Sequence, residues 1–449
     1  MELIEFIDFV LAAFYLIAIF LLALHIRSRL YPVGHPWRRW FLPGLMLKIF
    51  GATFIALVYV YYYGYGDTMT YFRSSMLLNS AMNESFGKWF QLLLHVPRWY
   101  EPGFYDLISQ MPFYHFPATY IVVAVAAVVN LLTFESFLCT SILFAALSFS
   151  GMWALFRTFA RQHPHLTTQV AIAVLCIPSV FVWGSGIFKD TLCLFGLGWL
   201  TACAHRLFIE RRFSLFHVLM LLFSFYIIAV VKIYILLCFI PAMLVWIMMD
   251  FRARVKDGGR RLLLTYAIAT VVPAALILLA NTFSEILGNY ALENVTTTAA
   301  ELRRNIIHDS GEQGSSYDIG EIDPSSPVSM LALFPRAVNV ALFRPYVWEV
   351  RNPLMLLNAL ESAAFMIIFL RVLFATGITG FFRHMVKSPE LLFFLIFTLM
   401  FAFSVGLSTG NFGTLSRYRI PFLPFFLLLM TLVFYRVHDV ARKRILWRF

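Results

Sequence analysis

The stretch Tyr63-Gly64-Tyr65-Gly66-Asp67-Thr68-Met69-Thr70-Tyr71-Phe72 ends the long apolar run 41–63 and opens a polar, aromatic loop. A run of about 20 apolar residues is long enough to cross a membrane as a helix. The two glycines are expected to stop that helix, so the carboxylate lies just outside the hydrocarbon. The stretch therefore predicts a membrane-spanning helix that brings an acidic side chain to the membrane surface.

Asp67 has two interpretations, which are compatible with each other. An ionised carboxylate at the depth of the lipid headgroups can take a proton from a sugar hydroxyl while a lipid-linked donor lies alongside. Alternatively, the glycines only end the first helix and Asp67 caps the next one, with Thr68 to Phe72 as its first turn. The residue types alone leave both roles open.

Composition places the chain among membrane proteins. Hydrophobic residues make up 61% of the 449 residues and charged residues 13%, whereas soluble globular proteins carry about 25% charged residues. We therefore predict an all-α, polytopic membrane protein that forms a single transmembrane domain over 1–449. About twelve spans are expected, at 6–24, 41–63, 118–133, 137–156, 167–183, 190–208, 214–231, 233–249, 262–283, 354–374, 390–407 and 420–436. The first is expected to be a retained span, because two Glu precede it instead of Lys or Arg.

The net charge of +11 is carried by Lys and Arg that lie mainly between the apolar runs. This is the charge bias of cytoplasmic loops, so topology explains it and we expect no nucleic-acid partner. Asp67 and two long loops, at about 64–117 and 284–352, are then external. Four basic segments are assigned to the cytoplasmic side, namely 27–39, 206–212, 252–261 and the C-terminal 436–448.

Both external loops are expected to carry helices that lie in the membrane interface, for example at 85–96. The second loop is expected to act as a lid over Asp67. Its Gly- and Ser-rich centre, 311–316, has little apolar surface and predicts mobility, whereas its aromatic end, 343–351, predicts an anchor.

One part of the topology is contradictory. Counting back from the basic segment 206–212 places Gly184 to Asp190 outside, but counting forward from the first basic segment places it inside. An extra crossing, a re-entrant segment or a miscounted span between Asp67 and Arg161 would resolve the conflict.

Lys189 and Asp190 interrupt apolar sequence at a predicted membrane boundary. Charges there are unfavourable unless they are paired or used, so Lys189 is a candidate phosphate ligand. Asp190 is either its neutralising partner or a metal ligand. The alternative is a lysine that snorkels to the headgroups beside an aspartate that caps a helix.

Two later stretches place arginines where a phosphate could bind. Arg344 and Arg351 can each hold phosphate oxygens in a bidentate manner, and Trp348 between them can stack on a sugar ring. The interfacial aromatic belt is the alternative for this stretch. Arg417 and Arg419 lie on the predicted outer face, against the usual charge bias, which favours a ligand role over topology. A salt bridge to a loop carboxylate is the alternative for them.

The remaining polar residues give weaker signals. Lys48 and Lys232 fall inside predicted spans and are expected to snorkel, and Glu361 is a weaker candidate site residue. Five cysteines lie in apolar runs without CxxC spacing, and the histidines show no HExxH pattern, so spacing supports no metal site.

Three short motifs together resemble a known family. They are Gly66-Asp67-Thr68 followed by Tyr71, Pro178-Ser179 with Trp183-Gly184-Ser185-Gly186 and Lys189-Asp190, and Arg417-Tyr418-Arg419-Ile420-Pro421 with Pro424. With the polytopic architecture, they resemble the GT-C glycosyltransferases, which include protein mannosyltransferases, aminoarabinose transferases and polymerases of exopolysaccharide or O-antigen.

This resemblance implies an enzyme of a bacterial inner (cytoplasmic) membrane that uses a sugar donor linked to polyprenyl phosphate or polyprenyl diphosphate. The acceptor would be a glycan, a lipid or a protein, reached among the membrane lipids. Asp67 would act as base or metal ligand, which makes a divalent metal possible, and Tyr71 would lie beside the substrate. Lys189, Arg417 and Arg419 would hold the donor phosphates.

Two other functions stay open. In a transporter or a flippase for lipid-linked glycans, the charges in the membrane would line the substrate path. Transporters usually contain two related halves with paired broken helices, and the sequence shows no internal repeat. A non-catalytic subunit of a polysaccharide assembly machine is the third possibility.

Overall fold

The computed structural model describes residues 3–267, 270, 295–309, 316–320, 327–386 and 388–446. Within these ranges the regular structure is helical, and β pairing is limited to an isolated bridge between Ser316 and Asn411. The all-α prediction is confirmed for this part of the chain. The chain packs as two compact units, Met1–Ile233 and Tyr234–Phe449, which we call unit 1 and unit 2. The single membrane domain stays a prediction.

The helices of unit 1 include four long apolar ones and several short ones. In chain order they are α1 Phe6–Leu30, α2 Arg38–Leu57, α3 Asp67–Ser80, α4 Phe86–Leu93, α5 Tyr105–Ile108, α6 Pro117–Thr133, α7 Phe137–Gln162, α8 Thr167–Leu175, α9 Pro178–Trp183, α10 Lys189–Ala204 and the start of α11 Leu215–Arg254. A π-helix extends α2 over Val58–Tyr63 and another extends α10 over His205–Ile209.

Unit 2 begins within α11 and contains the second predicted loop and the last spans. Residues 258–267 are also helical. The later helices are α12 Val295–Asp309, α13 Pro327–Ala332, α14 Phe334–Phe343, α15 Pro353–Thr376, α16 Ile378–Val386, α17 Pro389–Ser408, α18 Phe412–Tyr418 and α19 Leu423–Leu446. The helices expected in the two loops are present at Phe86–Leu93 and Phe334–Phe343.

Seven of the described helices are long and apolar enough to cross a membrane, or eight if α18 and the first part of α19, bent by 68°, form one broken span. Multi-pass membrane character is therefore supported, and the count of about twelve stays a prediction. The expected span 262–283 lies largely outside the described residues. The expected spans 214–231 and 233–249 are joined in α11, whose 40 residues are interrupted by non-helical backbone at Lys232.

The helices α2 and α7 of unit 1 run in opposite directions. The ring of Phe41 lies 5.0 Å from Trp153, and Gly44, one turn further along α2, faces Phe149, one turn earlier in α7. Sequence after α7 returns alongside α2: Arg39 donates a hydrogen bond to Thr168.

The stretch 168–188 continues along α2 in the same direction, because the ring of Phe188 lies 5.6 Å from Tyr59 near the end of the span. One end of unit 1 therefore carries Arg39 and Arg161, and the opposite end carries Asp67 and Lys189. We call these the arginine-rich end and the Asp67 end.

This arrangement narrows the topological contradiction. Helix α7 begins at the Asp67 end, so the chain crosses the membrane an even number of times between Asp67 and Phe137. The expected span 118–133 is α6, which has only 17 residues and lies antiparallel to α3. Two buried hydrogen bonds join the pair, Asn79 Nδ2 to Ala127 O at 3.0 Å and Asn130 Nδ2 to Ser75 Oγ at 2.6 Å. An extra crossing, a re-entrant segment and a miscounted span each give an even number, so the choice among the three stays a prediction.

The expected span 167–183 is broken twice. Helix α8 ends at Leu175, Pro178 starts α9 at a position where its missing N–H is not needed, and residues 184–188 are buried but not helical. Non-helical backbone at membrane depth is tolerated where the protein satisfies its polar groups. Here Lys48 Nζ donates to the carbonyl oxygens of Val180 and Gly184, both at 2.9 Å.

Candidate functional site

The turn before Asp67 depends on its two glycines, as predicted. Gly64 ends the π-helix with a φ of 72°, and its N–H donates to Tyr59 O at 2.9 Å. Gly66 has a φ of 146°, and a Cβ there would lie 2.3 Å from the ring of Tyr59. Only glycine fits both the backbone conformation and the space at this position. The turn therefore holds the chain against the end of α2 and starts α3 beside it.

Asp67 is the first residue of α3, and its side chain is exposed. Gly66 occupies the N-cap position, where no side-chain oxygen caps the helix. Asp67 is therefore the first residue of the helix and not the N-cap residue of the capping interpretation, and a carboxylate in the first turn interacts favourably with the helix dipole. The exposure of its side chain is compatible with the base interpretation.

Lys189 starts α10 at the same end of unit 1, and its side chain is half-buried. The ammonium group interacts electrostatically with Asp67, Asp190 and Lys232. Lys189 is thus a half-buried cation that interacts with the exposed carboxylate of Asp67.

Asp190 is bonded to a different lysine from the one expected. Its Oδ1 accepts a hydrogen bond from Lys232 Nζ at 2.6 Å, and both side chains are buried, Asp190 to 1% exposure. Lys232 therefore does not snorkel, and it lies at the interruption of α11. Lys48, at 2% exposure, does not snorkel either. The expectation was wrong for both lysines because partners within the protein replace the headgroup water.

Tyr71, the aromatic residue of the first motif, is a core residue. Its side chain is 3% exposed and its ring lies 5.4 Å from that of Phe113. Tyr71 therefore lies on the buried face of α3 and does not line an open surface.

The carboxylates of this region do not form a favourable metal site. A divalent cation at Asp67 would meet one exposed carboxylate and, close by, the ammonium group of Lys189, which repels it. Asp190, the other expected metal ligand, is bonded to Lys232. Within the described residues, no group of three or more His, Cys, Asp or Glu could hold a metal ion. We therefore derive no step through a metal.

In unit 2, Arg419 is fully buried and bonded within the protein. Its Nη2 pairs with Glu361 Oε1 at 3.0 Å, and its Nη1 donates to Ser362 Oγ at 2.8 Å and to Arg344 O at 3.1 Å. The salt bridge considered for Arg419 exists, but its carboxylate is in the span α15 and not in a loop. Arg417 is half-buried in the short helix α18.

The second arginine stretch divides into a bonded part and an exposed part. Arg344 donates from Nε to both carboxylate oxygens of Glu349, at 3.1 and 3.0 Å, and its Nη2 also bonds Glu349. Arg351 is exposed, and so is Trp348, at 78%, which stacks on Tyr346. Arg351 and Trp348 are thus the exposed residues of this stretch, and its role as an anchor stays a prediction.

Sequence reasoning missed a contact that fixes the earlier part of this loop. Arg303 of α12 donates to Thr409 O at 2.7 Å and to Tyr317 O at 2.9 Å. Its guanidinium lies over the ring of Tyr317, and Arg344 lies over the same ring, each 5.4 Å from the centroid. Burial raises the pKa of Tyr317 to about 12, so its hydroxyl stays protonated beside Thr409. Residues 311–315, expected to be mobile, lie outside the described residues.

Comparison of the chain with protein-family profiles, with curated proteins and with solved structures finds no match.

Proposed function

We propose that the protein is a GT-C type glycosyltransferase with about twelve spans. It would transfer a sugar from a polyprenyl-phosphate or polyprenyl-diphosphate carrier to a glycan, lipid or protein acceptor on the outer face of a bacterial inner membrane. The observation that carries the proposal is the pair formed by exposed Asp67 and half-buried Lys189 at the end of unit 1 opposite its arginine-rich end. By the positive-inside rule, that position favours the outer face, with the C-terminus in the cytoplasm.

In the proposed reaction, Asp67 takes the proton from an acceptor hydroxyl while the hydroxyl oxygen attacks the anomeric carbon of the donor sugar. The bond between that carbon and the phosphate oxygen breaks, and the phosphate leaves with its electron pair. Lys189 stabilises the negative charge on the departing phosphate, which is the effect of a fixed cation at a site of developing charge. The buried pair of Asp190 and Lys232 lies next to Lys189 and holds the start of α10.

We also propose roles in donor binding for residues of unit 2. Arg351 and Trp348 face outward and are available to a phosphate and a sugar ring, and Arg417 is retained as a phosphate ligand. Arg344 and Arg419 are bonded within the protein, so we assign them a supporting role in which they hold the stretch that carries the exposed residues. The lid role expected of the loop 284–352 stays a prediction.

The test is transfer of a radiolabelled sugar from a polyprenyl-phosphate carrier in proteoliposomes that contain the purified full-length protein. Asp67→Asn keeps the shape of the side chain and removes its basicity, so turnover should fall by about 10²- to 10⁴-fold. Lys189→Gln should lower kcat and weaken donor binding. Asp106→Asn is the matched control, because Asp106 is an exposed carboxylate in the same predicted loop. Equal turnover by the parent and Asp67→Asn would remove Asp67 from the site.

One observation favours a transporter or flippase as the second candidate. In unit 1 the expected span 167–183 is interrupted, and in unit 2 the pair α18 and α19 is bent by 68°. Transporters build substrate sites at discontinuous helices. The same proteoliposomes separate the two functions. Movement of the labelled lipid across the bilayer without a covalent product indicates transport. If neither product nor movement is seen, a non-catalytic subunit is favoured.

A further inference from the structure

Three basic side chains from three helices come together at the arginine-rich end of unit 1. Arg157 is near the end of α7, Arg206 is in the π-helical end of α10, and His217 is in the first turn of α11. Both arginines interact electrostatically with His217 and with Cys203, and the Arg157 guanidinium lies over the ring of Trp199 in α10. Like charges brought together in this way repel each other unless a negative charge joins them.

Each of the three side chains is half-buried and has a buried nitrogen atom without a hydrogen-bond partner in the described residues: Nε of Arg157, Nε of Arg206 and Nδ1 of His217. A buried polar group left without a partner is unfavourable, because it has lost its hydrogen bonds to water. The favourable effect of helix C-termini on nearby cations is weaker than this cost.

The carboxylate of Glu210 does not satisfy the two arginines. Its Oε1 lies 3.4 Å from Arg161 Nη1 and 3.6 Å from His205 Nδ1, and Glu210 also interacts electrostatically with His217. Its Oε2 is buried and also lacks a hydrogen-bond partner in the described residues, so neither Arg157 nor Arg206 bonds it. The cluster therefore has an excess of positive charge, and its arginines have N–H donors without hydrogen-bond partners in the described residues.

We propose that Arg157, Arg206 and His217 form a binding site for a phosphate ester at the arginine-rich end of unit 1. Guanidinium groups suit phosphate because their parallel N–H bonds match its oxygens. The site also has an apolar wall, since the Arg157 guanidinium lies 5.9 Å from the ring centroid of Trp199, and that ring packs 6.0 Å from Phe216. The phosphate comes from either the headgroup of an anionic phospholipid or a soluble phosphate compound.

The first arm of the test measures lipid. The full-length protein is placed in nanodiscs of phosphatidylcholine with or without phosphatidylglycerol, and bound lipid is counted by native mass spectrometry while thermal unfolding is followed. We expect the parent to retain phosphatidylglycerol and to unfold at a higher temperature with it. Arg157→Gln/Arg206→Gln should lose both effects. Arg29→Gln/Arg212→Gln removes the same charge from two exposed arginines and should keep both.

The second arm adds inorganic phosphate to nanodiscs of phosphatidylcholine alone. A rise in the unfolding temperature of the parent here, absent from Arg157→Gln/Arg206→Gln, identifies a soluble phosphate as the ligand. If the glutamine variant does not fold, Arg157→Lys/Arg206→Lys is used instead. It keeps the positive charge but lacks the paired N–H donors of the guanidinium group, so phosphate binding should weaken by about tenfold. The site is ruled out if the parent responds to neither ligand, if the two glutamine variants lose lipid equally, or if the lysine variant binds as the parent does.

Discussion

Lys48 Nζ lies 2.9 Å from the carbonyl oxygen of Gly184, deep inside unit 1 and 136 residues away along the chain. Together with its bond to Val180, this contact stabilises the non-helical backbone that leads to Lys189. Ser148 Oγ also donates to Gly184 O, at 2.7 Å. A single lysine from α2 thus takes the place of the N–H donors that a continuous helix would supply.

We expect Lys48→Met to loosen the broken span. Without the ammonium group, Val180 O loses a donor and Gly184 O keeps only Ser148, so the backbone of residues 178–188 should open more often. Hydrogen exchange followed by mass spectrometry should show faster exchange in peptides that cover these residues. Lys256→Met, at an exposed lysine, should leave the exchange unchanged. Equal protection in both variants would contradict the role given to Lys48.

We expect Gly198→Ala to disrupt the contact between α7 and α10. A Cβ at Gly198 would lie 2.0 Å from the carbonyl oxygen of Gly151, and a Cβ at Gly151 would lie 2.4 Å from Phe195 O. Small residues at such crossings let helix backbones approach closely, so the added methyl group must separate the two helices. The unfolding temperature in detergent should fall. Gly258→Ala, where a Cβ meets nothing within 4 Å, is the matched control and should have little effect.

Local features of this chain could be predicted from sequence, and long-range partners could not. The two glycines before Asp67 and the apolar runs are short-range signals, so the end of α2 and most long helices were found. The partner of Asp190 is 42 residues away and that of Arg419 is 58 residues away in the span α15. From the adjacent sequence we therefore predicted Lys189 as the partner of Asp190 and a loop carboxylate as the partner of Arg419. Arg303 was missed because its partner Thr409 is 106 residues away.

The pair of Asp190 and Lys232 should behave as one unit. Removing one partner from a buried ion pair leaves an uncompensated charge and destabilises by about 3–5 kcal/mol, whereas replacing both with apolar groups is often neutral. We therefore expect Asp190→Leu and Lys232→Met each to lower the unfolding temperature strongly, and the double variant to recover most of the loss. A double variant whose loss equals the sum of the two single losses would show that the pair is not coupled.

The final prediction concerns acid stability and depends on Glu349. Burial raises the pKa of its carboxyl group, but hydrogen bonds from Arg344 and from the Tyr346 N–H, the latter at 2.8 Å, outweigh that effect and lower the pKa below its ordinary value of 4.5. A carboxylate with a lowered pKa stabilises the folded state above that value, and the contribution disappears as the pH falls through the folded-state pKa. The parent should therefore unfold at a higher temperature than Glu349→Gln near neutral pH, and the difference should shrink below pH 4.5. Thermal unfolding across this range measures it, with Glu301→Gln, at an exposed glutamate of the same unit, as the control. A difference that stays constant into acid would show that ionised Glu349 does not stabilise the fold.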